Sequence, residues 1–198
     1  MTSTYNRLIQ DLRLGREEGE DQVQSFFYDN FGITTSNVGP EQKGWDLEVT
    51  GFDGSKVGAG KDTYSPEKML EKFKKKFGAT FEVKRDKTSD TTGNIYWECW
   101  SNFRIKNAGC MLECKADTIV FVRKKEFIFL SRAILLSWIF DNLFMRTDLA
   151  DRWMKTTFKT GKKRMMSAKN NSDVLGILIP VDDVRASPAC FHIEFRNA

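Results

Sequence analysis

The stretch "ATFEVKRD", residues 79–86, is the part of the sequence that is most informative about the fold. Side chains alternate between the two faces of a β-strand, so Phe81 and Val83 would point to one face and Glu82 and Lys84 to the other. The run therefore predicts a strand that presents a carboxylate and an ammonium group side by side. A surface strand with one polar face gives the same pattern. The choice between the two readings depends on the rest of the chain.

In "GWDLEVTGFDG", residues 44–54, a second strand is predicted from Trp45 to Thr50, followed by a turn at Asp53-Gly54, and this strand carries Asp46. If this strand and the first are neighbours, Asp46, Glu82 and Lys84 converge at one edge of a sheet. Two carboxylates there can bind a hard cation such as Mg²⁺, and the lysine can orient or deprotonate a water near a phosphate. The three residues thus form a candidate site for phosphodiester hydrolysis.

Predicted helices and strands follow one another along the rest of the chain, which indicates an α/β protein. A helix is expected over residues 16–31, ending at Gly32, and a lysine-rich helix is inserted at about 65–78 with Ser65 as its N-cap. Further strands are predicted at "IYWECWSNF", "TIVFVR", "EFIFLSR", "GILIPV" and "CFHIEF", and an apolar helix at "AILLSWIFDNLF".

The chain has 198 residues, of which 40% are hydrophobic and 29% charged, as in ordinary globular proteins. We therefore expect one domain over residues 1–198. The N-terminus has no apolar core of signal-peptide type, and the longest apolar run, residues 133–145, is interrupted by polar residues and is shorter than a membrane span. This predicts a cytoplasmic protein without membrane association.

Positive charge is concentrated in residues 123–169, which hold 12 Lys or Arg against 4 Asp or Glu, while the remainder of the chain has an excess of acids. Within that region, residues 155–173 are rich in Lys, Ser and Asn and are predicted to form a long basic loop. A phosphate backbone would suit this segment, and a solvated loop would have the same composition. The candidate nucleic-acid-binding residues are Lys155, Lys159, Lys162, Lys163 and Arg164.

Cysteine and histidine offer weaker signals. Cys110 and Cys114 could contribute to a zinc site, but no CxxC pair is present and buried free thiols explain them as well. The single histidine, His192, lies in a predicted terminal strand, which disfavours catalysis by a Ser-His or Cys-His pair.

The order "WDLEV … FEVKRD … TGNIYWECWS … GCMLECKADTIVFV … EFIFLSRAILLSWI" resembles the PD-(D/E)xK nuclease superfamily, including phage-encoded members and Holliday-junction-resolvase-like nucleases. The resemblance covers roughly residues 17–145. It implies a restriction-endonuclease-like core, in which a central mixed β-sheet is flanked by helices.

The resemblance also implies roles for individual residues. Asp46 and Glu82 would be metal ligands and Lys84 the catalytic lysine. An acidic residue on the first helix joins them in the junction-resolving branch, and Glu20 matches that place best, with Glu17 as the second choice. Glu98 matches an acid on the following strand, in the active site with or without metal contact.

Three departures from the family pattern leave alternatives open. Trp45 stands where a proline usually precedes the first aspartate. The interval from Asp46 to Glu82 is long because of the inserted helix, so Asp53 or Asp62 could pair with Glu82 instead. The "CMLECKAD" segment lacks the usual small turn, which leaves Lys115 a structural role.

These features together predict a Mg²⁺- or Mn²⁺-dependent deoxyribonuclease, a structure-selective endonuclease or Holliday junction resolvase among them. DNA is the expected partner. Junction resolution needs two symmetric cuts and so implies a homodimer. A phage-encoded chain would act in the host cytoplasm. The alternative is a nucleic-acid-binding or assembly protein that keeps the fold without cleavage.

Overall fold

The computed structural model describes residues 19–38, 44–56, 65–102, 105–159, 165–167 and 172–196. Its helices are α1 (Asp21–Phe31), α2 (Pro66–Phe77), α3 (Lys87–Thr92), α4 (Cys110–Glu113), α5 (Arg132–Met145), α6 (Asp148–Lys159) and α7 (Val181–Ala186). Its strands are β1 (Ile33–Asn37), β2 (Leu47–Phe52), β3 (Thr80–Arg85), β4 (Asn94–Asn102), β5 (Asn107–Ala108), β6 (Thr118–Val122), β7 (Glu126–Ser131), β8 (Met165–Ser167), β9 (Ser172–Pro180) and β10 (Cys190–Phe195).

The strands form two sheets. A mixed sheet of six has the order β1-β2-β3-β6-β7-β10, and a sheet of four has the order β5-β4-β9-β8. In the larger sheet β3 and β6 run parallel, whereas β1 and β2, β2 and β3, and β7 and β10 are antiparallel. With helices flanking the mixed sheet, the α/β class predicted from the sequence is confirmed.

The chain divides into two compact units, residues 1–85 with 116–122 and residues 86–115 with 123–198. The prediction of one domain over residues 1–198 stays a prediction. None of the helices in the described part of the chain is long and apolar enough to cross a membrane.

In the first unit, α1 buries one apolar side and stops at a glycine. Val23, Phe26 and Phe27 are the buried residues, and Gly32 adopts a φ of 65°, the left-handed conformation that commonly ends helices. The α-helix begins at Asp21 and is preceded by a π-helical turn at Gly19 and Glu20, and residues 16–18 of the predicted helix lie outside the described ranges.

The inserted helix α2 forms where the sequence predicted it. Ser65 is its N-cap and accepts a hydrogen bond from Lys68 N, and Pro66 occupies the first helical position. A cluster of phenylalanine rings holds the helix in the unit. The Phe27 ring lies at its centre, with centroid distances of 4.9 Å to Phe73, 5.8 Å to Phe77 and 4.8 Å to Phe81. The cluster therefore joins α1, α2 and β3.

Asp117 fixes the start of β3 beside β6. Its Oδ2 accepts hydrogen bonds from Ala79 N at 2.8 Å and from Thr80 N at 3.1 Å. Gly78, with a φ of 89°, passes so close that an added Cβ would lie 2.5 Å from the Asp117 Cβ. The register that follows pairs Phe81 through Arg85 with Thr118 through Val122. The turn at Gly78 thus sets the position of the strand that carries Glu82 and Lys84.

In the second unit, α7 is tied to β7 by a buried carboxylate. Glu126, only 2% exposed, accepts hydrogen bonds from Arg185 Nη2 at 2.6 and 2.7 Å, and Arg123 Nη1 ion-pairs with the same group. A buried charge is tolerated when it is paired and hydrogen-bonded in this way.

The predicted loop at residues 155–173 is partly wrong. Helix α6 continues through Lys159, and β8 and β9 place strands at Met165–Ser167 and from Ser172 onward. The helix is held by a tertiary contact, because Trp153 is fully buried and its Nε1 donates to Asp183 Oδ2 at 2.8 Å. Local composition does not reveal such a contact.

Candidate active site

The pairing of β2 with β3 brings Asp46 close to Glu82. Leu47 faces Phe81 and Glu48 faces Thr80 in this antiparallel pair, and Asp46 is the residue that precedes β2. The charge of Asp46 acts on Glu82, because it raises the pKa of the Glu82 carboxyl. The neighbour relation that the sequence analysis required is therefore present.

Asp46 is fixed to β3 by two hydrogen bonds. Its main-chain N–H donates to Phe81 O at 2.8 Å, and its Oδ2 accepts from Val83 N at 2.7 Å. One carboxylate oxygen is thus used to hold the residue in place. In the described residues, its Oδ1 makes no hydrogen bond and can serve as a ligand.

Glu82 is almost completely buried, with 7% of its surface exposed, and it forms an ion pair with Lys84 on the same face of the strand. Burial raises the pKa of the Glu82 carboxyl, the Lys84 ammonium group lowers it, and the charge of Asp46 raises it, so that the net direction is upward. A cation bound at Glu82 would therefore offset mainly the cost of burying its charge.

The donor set fits a hard divalent cation. Asp46 and Glu82 supply carboxylate oxygens, the ligand type that Mg²⁺ and Mn²⁺ prefer, and Mg²⁺ sites often use one or two carboxylates and keep several waters. Among the described residues, no three His, Cys, Asp or Glu side chains come together as a metal-holding group. The described residues thus offer two carboxylates here, Asp46 and Glu82. Glu20 is not grouped with them.

Gly19 and Glu20 lie next to β3, on the face of that strand against which α1 packs. An added Cβ on the adjacent Gly19 would lie 3.3 Å from Val83 Cγ1, and the Glu20 Oε2 accepts from Asn37 Nδ2 at 3.0 Å. Because Val83 and Glu82 point to opposite faces of β3, α1 packs on the face away from Glu82. The second choice for this role, Glu17, lies outside the described residues.

Asp53 is engaged elsewhere. Its Oδ2 accepts from Tyr28 Oη at 2.8 Å, and its Oδ1 accepts from Ser55 N at 3.0 Å. The hydrogen bond to Asp53 is also the main reason why the pKa of Tyr28 is raised. Asp53 therefore closes the turn after β2, and Asp46 is the carboxylate beside Glu82. Asp62, the other alternative, lies outside the described residues.

Glu98 belongs to the second unit, where it lies on β4 opposite Gly176. Its side chain runs close to Gly109, whose added Cβ would lie 2.8 Å from the Glu98 Cγ. The catalytic role of Glu98 stays a prediction. Lys115 is exposed in the same unit.

The predicted phosphate contacts are only partly described. Lys155 is exposed on α6, and Lys159 is the last residue of that helix. Lys162, Lys163 and Arg164 lie outside the described residues. A pocket on α6 is lined by residues of both charges, namely Asp148, Asp151, Arg152, Lys155 and Thr156.

Cysteine and histidine form no further site in the described part of the chain. Cys114 is buried, with 2% of its surface exposed, and Cys99, Cys114 and Cys190 are free thiols. His192 lies in β10, as predicted, and ion-pairs with Glu194 at 3.4 Å when it is protonated.

Sequence reasoning missed the residues that hold the site in place. Asn37, Asp117 and Gly78 contact Glu20 or the start of β3. Asn37 and Gly78 lie in stretches without a catalytic pattern, and Asp117 lies in the "CMLECKAD" segment but was assigned no role there. The only available signal was Gly78 itself, which follows a helix and precedes a strand. Comparison with family models, with curated proteins and with solved structures found no match to this chain.

Proposed function

We propose that this protein is a metal-dependent DNA nuclease that hydrolyses phosphodiester bonds, with Asp46, Glu82 and Lys84 as its active site. The observation that carries the proposal is the pair of hydrogen bonds that hold Asp46 to β3 beside a buried Glu82, while Lys84 ion-pairs with the same glutamate. The mixed sheet and its flanking helices support a restriction-endonuclease-like core of the PD-(D/E)xK type.

Each residue has a distinct part in the proposed reaction. Asp46 and Glu82 hold Mg²⁺ or Mn²⁺, and the bound ion would polarise the phosphoryl oxygen and acidify a water ligand. Val83 N keeps Asp46 oriented during this step through its hydrogen bond. Lys84 lies beside Glu82, and its Nζ would orient the attacking water or neutralise charge on the phosphate.

The proposed substrate class includes junctions, flaps, duplexes and ends, with a structure-selective endonuclease or a Holliday junction resolvase as the favoured activity. A resolvase would act as a homodimer. We place the activity in the cytoplasm, which is the host cytoplasm if the chain is phage-encoded. Lys155, Lys159, Lys162, Lys163 and Arg164 remain proposed phosphate contacts.

Cleavage of a panel of labelled DNA structures tests the proposal. Wild-type protein is incubated with each structure in Mg²⁺, Mn²⁺, Ca²⁺ or EDTA, and its size in solution is measured in parallel. Cleavage is expected in Mg²⁺ or Mn²⁺ and not in Ca²⁺ or EDTA, because the looser coordination of Ca²⁺ supports phosphoryl transfer poorly.

Three variants complete the test. Glu82→Gln and Lys84→Ala are each expected to slow cleavage at least about 100-fold while DNA binding persists. Glu48→Gln is the matched control, since Glu48 is an exposed carboxylate on the same strand pair. Cleavage in EDTA, or near wild-type cleavage by Glu82→Gln, would overturn the proposal. DNA binding without cleavage in any metal would instead favour the non-catalytic alternative.

A further inference from the structure

Helix α2 presents a row of exposed lysines. Lys68, Lys72 and Lys75 recur at i, i+4 and i+7, which places them on one side of the helix, and Lys76 flanks them. These four residues are called the basic stripe below. Their main-chain positions span about 12 Å along the helix axis. Glu67 and Glu71 lie beside the stripe and not within it.

The opposite side of α2 is packed into the protein. Phe73 and Phe77 are 5% and 1% exposed, and both rings contact the Phe27 ring. Lys76 Nζ lies 4.7 Å from the centroid of the Phe77 ring. The apolar side of the helix is therefore unavailable to a lipid surface, which would need to bury it. A polyanion needs only the exposed lysines.

Positive charge in the first unit is concentrated on this helix. In the described part of that unit, the basic residues outside α2 are only Lys56, Lys84 and Arg85. The remaining charged side chains of its strands and of α1 are carboxylates. A phosphate backbone that approaches this unit would find its favourable electrostatic contacts along the basic stripe.

We infer that the basic stripe is a binding site for the phosphate backbone of DNA, in the same unit as Asp46, Glu82 and Lys84. The inference rests on the proposed function for the identity of the polyanion. Glu82 is six positions after Lys76 in the chain, so their Cα atoms can be no more than about 22 Å apart. One turn of B-DNA is about 34 Å long, so a single duplex can reach both.

The test is a salt titration of binding to two duplexes of unrelated sequence, in EDTA, with a gel to show that the DNA stays intact. Lys68, Lys72 and Lys75 are changed together to Gln. The control changes three exposed lysines of the second unit, Lys106, Lys124 and Lys125, to Gln, so that the net charge is the same. A third variant changes Lys68, Lys72 and Lys75 to Arg, which keeps the charge. Circular dichroism confirms that all variants are folded.

The Gln variant of the stripe should weaken binding about 10- to 100-fold on both duplexes and flatten the log–log salt slope by up to about 0.9 for each phosphate that is no longer neutralised. The control and the Arg variant should bind with the wild-type slope. An unchanged slope in the Gln variant, or equally weakened binding in the control, would overturn the inference. Binding of each variant to vesicles with about 30% anionic lipid is measured in parallel. The inference would also be overturned if the Gln variant lost affinity for these vesicles while its affinity for DNA was unaffected.

Failure of the inference can be told apart from failure of the proposed function, because the binding measurement needs no cleavage. Wild-type protein that binds through the stripe but cuts no DNA in any metal supports the inference and refutes the nuclease. Metal-dependent cutting with an unaffected Gln variant refutes the inference alone. Wild-type protein that binds no DNA at any salt concentration refutes both.

Discussion

The Asp46 carboxylate accepts a hydrogen bond from the main-chain N–H of Val83, the residue between Glu82 and Lys84. The bond joins a side chain of one strand to the backbone of the other, so it does not depend on which side chains occupy positions 82 and 84. Asp46 should consequently keep its place in variants of Glu82 or Lys84. Loss of activity in those variants would then report on chemistry.

We expect Asp46→Asn to slow cleavage at least about 100-fold, because an amide is a poor ligand for a divalent cation. Its side-chain oxygen can still accept from Val83 N, so the fold should be preserved. The matched control is Asp53→Asn, which leaves cleavage at the wild-type rate and costs about 1 kcal/mol of stability through the Tyr28 and Ser55 hydrogen bonds. Single-turnover rates and melting curves check both. The opposite pattern would assign the site to Asp53.

Glu82 should make stability depend on pH. Its carboxyl has a pKa raised above the unfolded value of 4.5, chiefly by burial, so the folded protein binds more protons than the unfolded chain between the two pKa values. Stability is therefore lost as the pH rises from about 4.5 through the folded pKa. Urea unfolding of wild type and Glu82→Gln in EDTA, from pH 4 to pH 8, should show the wild type losing stability relative to the variant. A difference that is independent of pH would contradict this.

Mg²⁺ should stabilise the folded protein without any DNA present. A cation bound between Asp46 and Glu82 favours the native state by about 2.7 kcal/mol at one hundred times its dissociation constant. We expect the melting temperature of wild type and of Glu48→Gln to rise with Mg²⁺ at pH 7.5, and that of Glu82→Gln to stay constant. An equal rise in all three proteins would place the ion elsewhere.

Gly78→Ala should be more damaging than an equivalent change at a glycine with open surroundings. The added methyl group meets the Asp117 Cβ at a backbone φ of 89°, and a cost of about 3 kcal/mol is expected. Gly93 has a φ of 67° and nothing within 4 Å of an added Cβ, so Gly93→Ala should cost only about 1 kcal/mol. Denaturant unfolding of both variants measures the difference. Equal costs would show that backbone strain alone matters at Gly78.

The parts of the site that could be predicted from the sequence are those set by local signals. Alternation along residues 79–86 revealed β3, and the Ser65-Pro66 pair revealed the start of α2. Whether the strands of Asp46 and Glu82 are neighbours could not be predicted, because no local pattern specifies which strands pair. The structure supplies it through the pairing of Leu47 with Phe81.

The errors have a common physical origin in tertiary contacts. Residues 155–159 have the composition of a loop, yet they extend a helix anchored by the buried Trp153 and its bond to Asp183. Glu20 has the spacing of a ligand from the first helix, and the phenylalanine cluster around Phe27 packs that helix against Phe81 of β3, so the role of Glu20 stays a prediction. The partners in these contacts are far apart in the sequence, with Asp183 lying 30 residues after Trp153, so local patterns do not pair them.

The parallel pairing of β3 with β6 has a consequence for how the protein is made. Asp117, which anchors Thr80, lies 37 residues further along the chain, and Val122 completes the strand pair. A ribosome adds about 5–20 residues per second, so several seconds pass between the emergence of Lys84 and that of its supporting strand. During that interval a nascent chain carries Asp46, Glu82 and Lys84 without the strand that holds them in register. The candidate site thereby stays incomplete until translation has passed the centre of the sheet.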